Sequence, residues 1–283
     1  MFETSPEPIE GAPSARAGRP TRMDLLTPML EGTQRGGVPI RRAFLQTPRP
    51  GADGTRAASL SKLVRDEAAL DAYLLITALA SSSEPYDTWF PSATWAQIAR
   101  LDVYAEEQAA RARWAKLVTR LERERLVARK RRGNKMNYVL LHESGNGEPY
   151  TRPTKGAHGY WFSLPHVYWT AEFDKALSMP EKLMLLIALD QPDAFRLPAD
   201  RSPAWYGISE STARRGLHAL QARGILHMDS EQEADPKSPT GWKTVLRYTT
   251  LGDWSQPSRK AAMLKSTRRR KVADSPDKGG EPT

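Results

Sequence analysis

Gly207-Ile208-Ser209-Glu210-Ser211-Thr212-Ala213-Arg214-Arg215-Gly216-Leu217-His218-Ala219-Leu220-Gln221-Ala222-Arg223-Gly224-Ile225-Leu226 is the stretch whose reading decides the fold. Gly207-Ile208-Ser209 reads as a turn, and Ala213, Gly216, Leu217 and Leu220 recur at helical spacing from Glu210 to Arg223. Gly224 stands where a helix end needs a left-handed residue. Upstream, Leu183 to Leu189 reads as a helix opened by Pro180, Phe195 to Leu197 as a short strand, and Ala199 to Tyr206 as a short helix. Downstream, Ile225 to Met228 and Lys243 to Thr249 read as a β-hairpin.

The same order occurs earlier in the chain. From Leu60, residues Leu63, Val64, Leu70, Tyr73, Leu74, Ile76, Thr77 and Leu79 trace a broad apolar helical face that Ser81-Ser82-Ser83 stops. Thr88-Trp89-Phe90 is a short extended piece, and Ala93 to Leu101 a second helix. A longer helix is expected from about Tyr104 to Arg125, with Ala110, Trp114, Leu117, Val118 and Leu121 buried. Leu126 to Lys130 and Asn137 to His142 then form a hairpin around Arg131-Arg132-Gly133-Asn134-Lys135. Leu117-Val118 lies over Gly216-Leu217, Leu121 over Leu220, and Leu126-Val127 over Ile225-Leu226, so the chain carries two copies of one unit.

This pattern sets the expected organisation. Residues 1–57 are rich in Pro, Gly and Arg and read as a disordered arm, interrupted by apolar islands at Met23 to Leu30 and Val38 to Leu45. A first domain spans 58–143, a linker containing Gly145-Asn146-Gly147 spans 144–159, a second domain spans 160–254, and a disordered basic tail spans 255–283. The two domains are expected to fold separately, with proteolysis between His142 and His158. The segment 160–173 carries Trp161, Phe162, Tyr168, Trp169 and Phe173 and reads as core, or as a surface for a protein partner or self-association.

Helix, short strand, helix, turn, helix and hairpin is the order of the winged helix. Residues 207–226 resemble the turn, recognition helix and first wing strand of bacterial winged helix-turn-helix regulators. Two such units in one chain resemble, in architecture only, plasmid replication initiators. The resemblance implies a mainly α fold with small β-hairpins (α+β), built as two winged-helix domains with disordered basic tails. The first half departs from it by several extra residues between Leu101 and Trp114, which leaves the start of its recognition helix open.

Charge gives an independent reason to expect nucleic acid. The 283 residues carry a formal net charge of +9, 22 prolines and no cysteine, with a mean hydropathy of -0.60 and a pI near 9.7. A polyanionic partner fits; disulfides and thiolate metal sites are excluded. The longest apolar run, Tyr73 to Ala80, is too short to cross a bilayer, and no export signal is visible, so a cytoplasmic, nucleoid-associated protein is expected.

Arg111 to Lys135 alone holds eleven basic residues against Glu122 and Glu124. With Trp114, Leu117, Val118 and Leu121 turned inward, Ala112, Lys116, Thr119 and Arg123 turn outward, flanked by Arg113 and Arg120. That face suits a major groove, with the hairpin tip at Arg131, Arg132 and Lys135 on an adjacent backbone or minor groove. In the second unit Ser211, Arg215 and His218, flanked by Thr212, Arg214 and Gln221, suit base contacts. Its hairpin, with Asp229, Glu231, Glu233 and Asp235, argues for pointing away from DNA or for protein contacts.

No phosphate-binding loop, nucleophile elbow or metalloprotease helix occurs, and the histidines at 142, 158, 166, 218 and 227 show no ligand spacing. The expectation is a protein that is not an enzyme, needs no cofactor or metal, and binds double-stranded DNA sequence-specifically. Origin recognition in plasmid or mobile-element replication leads, transcriptional regulation is an alternative, and a tandem winged-helix scaffold for other proteins is the reading from another class.

Overall fold

The computed structural model describes residues 18, 20–103, 105–133, 135–153 and 160–273. The chain is mixed α/β, mostly helical, with small antiparallel sheets. Its first half contains α1 (Arg22–Gly32), β1 (Val38–Arg41), α2 (Ser59–Leu63), α3 (Glu67–Leu79), β2 (Asp87–Thr88), α4 (Ser92–Ile98), α5 (Glu107–Arg123), β3 (Val127–Arg132) and β4 (Lys135–Leu140). The second contains β5 (Trp161–Leu164), α6 (Val167–Thr170), α7 (Phe173–Ala176), α8 (Met179–Asp190), α9 (Ser202–Tyr206), α10 (Glu210–Ala222), β6 (Leu226–Ala234), β7 (Trp242–Thr250) and α11 (Gln256–Ala273).

The element order recurs as the sequence repeat implies. In the first half β2 pairs with β4 through Asp87↔Val139, and in the second Phe195 makes the corresponding single bridge to Tyr248 on β7. Both long helices stop at a left-handed residue, Arg125 (φ 56°) after α5 and Gly224 (φ 68°) after α10. The helix expected from Leu60 onward is broken, because the Asp66 carboxylate accepts from the Ala69 N–H at 3.0 Å and starts α3 afresh. Glu172, at φ 57°, likewise separates α6 from α7. In the loop left open between Leu101 and Trp114, α5 begins at Glu107; Tyr104 lies outside the described residues.

Gly216 fixes how α10 sits. A β-carbon there would fall 2.3 Å from the Pro180 carbonyl oxygen and 2.5 Å from Met184 Cγ, so α10 lies directly on α8. Helix propensity alone favours alanine over a mid-helix glycine by about 0.5–1 kcal/mol. Overpacking outweighs it here: Gly216→Ala is expected to destabilise by about 1–3 kcal/mol, seen as a lower urea midpoint. An unchanged or raised midpoint would show that the helices have room to part.

Four expectations need correction. The arm is ordered over residues 20–57: α1 is capped reciprocally by Thr21 and Asp24, and Leu26, Leu30, Val38, Ile40, Phe44 and Leu45 are buried. Residues 1–17 and 19 lie outside the described residues. The tail is a helix from Gln256 to Ala273, while 274–283 lie outside the described residues.

The two units are also not independent. β1 from the arm pairs antiparallel with β5 of the second half, from Val38↔Leu164 to Arg41↔Trp161. One continuous apolar core runs from Leu26 to Trp254. Arg56 N–H donates to the Ala204 carbonyl at 2.7 Å. Lys182 Nζ on α8, almost fully buried, reaches Glu67 and Asp71 of α3 at 2.7 Å each. Such a junction replaces the separate domains and free linker; residues 154–159 of that linker lie outside the described residues.

The aromatic segment, finally, is spent internally. Phe162, Tyr168 and Trp169 are buried, Tyr168 and Trp169 meet edge to face, and Phe173 packs on Trp254. Tyr160 is exposed but lies under the Arg42 guanidinium, 4.7 Å from its ring centre. Burial bears out the core reading for Phe162, Tyr168 and Trp169 and corrects the surface reading for those three rings, while exposed Tyr160 and half-buried Trp161 still meet solvent.

Candidate nucleic-acid interface

α5 is positioned by its apolar stripe. Ala110, Trp114, Val118 and Leu121 are buried, and Trp114 stacks on Trp95 of α4 with ring centres 4.7 Å apart. Trp114 Nε1 donates to the Tyr138 hydroxyl of β4 at 3.0 Å, which fastens helix to hairpin; burial holds the Tyr138 phenol above its ordinary pKa. The opposite face then has no choice but solvent. Arg113, Lys116, Thr119 and Arg123 are exposed there.

The expected cations divide into free and tied. Among the described residues, Arg113, Lys116 and Arg123 have neither a hydrogen-bond nor an ion-pair partner for their side chains. Arg120 differs: it pairs with Glu124 at 2.8 Å and donates to the Lys62 carbonyl at 3.0 Å, so it faces α2. Thr119 Oγ1 accepts from Arg129 at 2.6 Å. Arg129 is clamped by Glu122 (2.5–2.8 Å), whose hydrogen bonds raise its pKa further. Arg120 is thus drawn from the outer face toward α2, while Arg123 stays exposed on it.

Strand alternation sorts the hairpin tip. Arg129 and Arg131 lie on the α5 side with Tyr138 and Met136, their register partners. Arg132 and Lys135 lie on the other face, where Arg132 approaches Asp87 at 3.5 Å and the Lys135 ammonium sits 4.2 Å above the Trp89 ring. Lys130 is exposed on that face as well and has no partner among the described residues. Thus only Arg131 of the expected tip extends the α5 surface. Lys130, not singled out beforehand, belongs with Arg132 and Lys135.

In α10, Ser211, Arg214, Arg215 and His218 are exposed. Arg215 and His218 have no side-chain partner among the described residues. Arg214 pairs with Glu210 one turn back, at 2.5 Å. Thr212 is half-buried and serves the helix start, its N–H and hydroxyl both meeting Ser209 Oγ, at 3.2 and 2.8 Å. Arg223 ties the far end of α10 to α8 through Glu181.

The second hairpin is longer than the sequence suggested, nine residues a strand, and two of its acids, Glu231 and Glu233, have a cross-strand partner. Arg247 binds Glu231 at 2.5 Å and Glu233 at 3.3 Å, and Arg196 also pairs with Glu233. Asp229, Glu231 and Glu233 share one face by alternation. The other face carries Met228, Leu246 and Trp242, exposed by 38%, 41% and 57%, and borders a cleft of about 550 Å³ against α10. No aspartate or glutamate of β6 lines that cleft. The acids of this hairpin are therefore turned away from α10, and arginines pair with two of them, Glu231 and Glu233.

No protein family, curated protein or solved structure matches the chain. Among the described residues, no helix is long and apolar enough to cross a membrane, and no cluster of His, Cys, Asp or Glu is arranged to hold a metal ion.

Proposed function

We propose that this chain is a sequence-specific double-stranded DNA-binding protein, built on two winged-helix units fused through a shared core, and without enzymatic activity. The observation that carries the reading is the outer face of α5, where Arg113, Lys116 and Arg123 stand exposed with no acidic partner among the described residues. A helix face of that kind enters a major groove, with arginine bidentate to guanine or lysine near its acceptors. Arg131 extends the surface toward the backbone. Arg215, His218 and Ser211 on α10 form the second reading face. Recognition of a replication origin or an operator is the biological role this supports.

Selection of the full chain against random duplexes tests the reading. A recovered motif, which Lys116→Ala or Arg123→Ala relaxes at one or two positions for a cost of about 1–3 kcal/mol on the preferred site, is the expected result. Recovery of no motif would leave only non-specific binding and defeat it. A scaffolding role is the second reading, favoured by the exposed Met228, Leu246 and Trp242 on the second hairpin.

A further inference from the structure

The carboxyl-terminal helix α11 is held down along one side. Arg259, 8% exposed, donates from Nε to the Trp254 carbonyl at 2.9 Å and from Nη1 to the Leu189 carbonyl at 3.0 Å. One turn on, a β-carbon on Gly36 would fall 2.2 Å from the Ala262 carbonyl oxygen, so the α11 backbone rests directly on that glycine. Arg259, Ala262, Met263 and Ser266, spaced i, i+3, i+4 and i+7, are the residues turned inward. Lys260, Lys265, Arg268 and Arg269 are all exposed on the remaining surface. No acidic residue occurs from Gln256 to Ala273, and these four side chains have no ion-pair partner among the described residues.

We propose that α11 is a second nucleic-acid contact, a docked ridge in which Lys260, Lys265, Arg268 and Arg269 grip the phosphate backbone of duplex DNA without reading bases. It rests on the DNA reading above and adds a site to it. Residues three and four apart on a helix stack about 5–6 Å from one another, so Lys265, Arg268 and Arg269 form one dense patch of positive charge. Such a patch releases condensed counterions from a duplex whatever its sequence. An anionic membrane fits less well: an interfacial helix must bury its apolar face in lipid, and the inner face of α11 is already packed on protein, leaving Leu264 as the one large exposed apolar side chain among its described residues. Docking also removes the ordering cost that a loose tail would incur on binding.

The test uses the full chain, fluorescence anisotropy, a preferred duplex and a scrambled one, across a salt series. Lys265→Ala, Arg268→Ala and Arg269→Ala together are expected to leave the unfolding midpoint unchanged and to weaken both duplexes by a similar factor, roughly 10- to 100-fold near physiological salt. The log–log salt slope should become shallower by about two to three. Unchanged affinity and slope, or a loss confined to the preferred duplex, would overturn the ridge. A second variant, Gly36→Leu, should free the α11 amides to exchange and lower affinity for both duplexes. Freed amides with unchanged affinity would mean that a loose chain suffices, which overturns the docked ridge. So would phosphatidylserine vesicles that bind the parent chain and not the triple variant while DNA binding is equal for both. Failure of the DNA reading itself looks different: the parent chain would bind neither duplex, or its binding would not depend on Lys116 and Arg123.

Discussion

Replacing Glu143 with alanine is expected to destabilise the protein by about 3–5 kcal/mol, one of the largest losses any single side chain here would cause. Glu143 is fully buried, and its carboxylate accepts from the Arg41 guanidinium at 2.5 Å and from the Arg41 N–H at 3.3 Å. Arg41, 3% exposed, also donates to Thr151 Oγ1 at 2.8 Å. Truncating the acid leaves a guanidinium in the core with no counter-charge, only Thr151 and the Tyr150 ring still meeting it, which is costlier than never burying the pair. Glu143→Gln, which keeps a hydrogen-bond acceptor, should lose less, and Arg41→Met with Glu143→Leu should recover most of the loss. Because Arg41 ends β1 and Glu143 follows β4, the pair also joins the amino-terminal segment to the first half at the point where β5 enters. Urea unfolding should accordingly be one transition, coincident by far-UV and near-UV dichroism. Two separated transitions would mean that the halves fold alone after all.

The second large effect concerns binding. Lys116→Glu with Arg123→Glu should weaken duplex DNA on the order of 100-fold near physiological salt, since two groove-facing cations are lost and two charges that repel the phosphates take their place. Both residues are exposed and unpaired among the described residues, so the unfolding midpoint should hardly move. Arg120→Ala makes the contrast. Its guanidinium serves Glu124 and the Lys62 carbonyl, so a loss of stability with little change in base preference is expected. If Arg120→Ala relaxed the preferred motif and the double glutamate variant did not, the assignment of the reading face would be reversed.

The contrast between Arg120 and Arg123 shows where sequence reasoning ran out. Helical period places both on the outer half of α5, and nothing local reveals that a carbonyl in α2, 58 residues earlier, draws Arg120 aside. Arg132 and Lys135 were legible as basic, yet their side of the hairpin depends on a register that only Asp87 and Trp89 disclose. By contrast α10 could be read almost residue by residue, since Ala213, Gly216, Leu217 and Leu220 form its buried stripe and Gly224 its stop.

The ends of the chain were misread for a common reason. β1 is four residues long, and its partner β5 lies more than 120 residues away, so neither carries a period of its own. α11 has an inner stripe with a single large apolar residue, Met263, and an arginine that is buried because two backbone carbonyls accept from it. Composition marks such segments as solvated. Their order comes from tertiary contacts that composition does not contain.

If a duplex lies against α5 through unpaired cations, the equilibrium affinity of the full chain for a preferred and a scrambled duplex across a salt series will show it. A linear fall of log K with log salt is expected, with a slope of about -0.9 for each phosphate engaged, and the Lys116→Ala, Arg123→Ala double variant should lose affinity for the preferred duplex far more than for the scrambled one, with little change in slope. No binding at about 50 mM salt, or a double variant that binds both duplexes as the parent chain does, would contradict a duplex seated on α5.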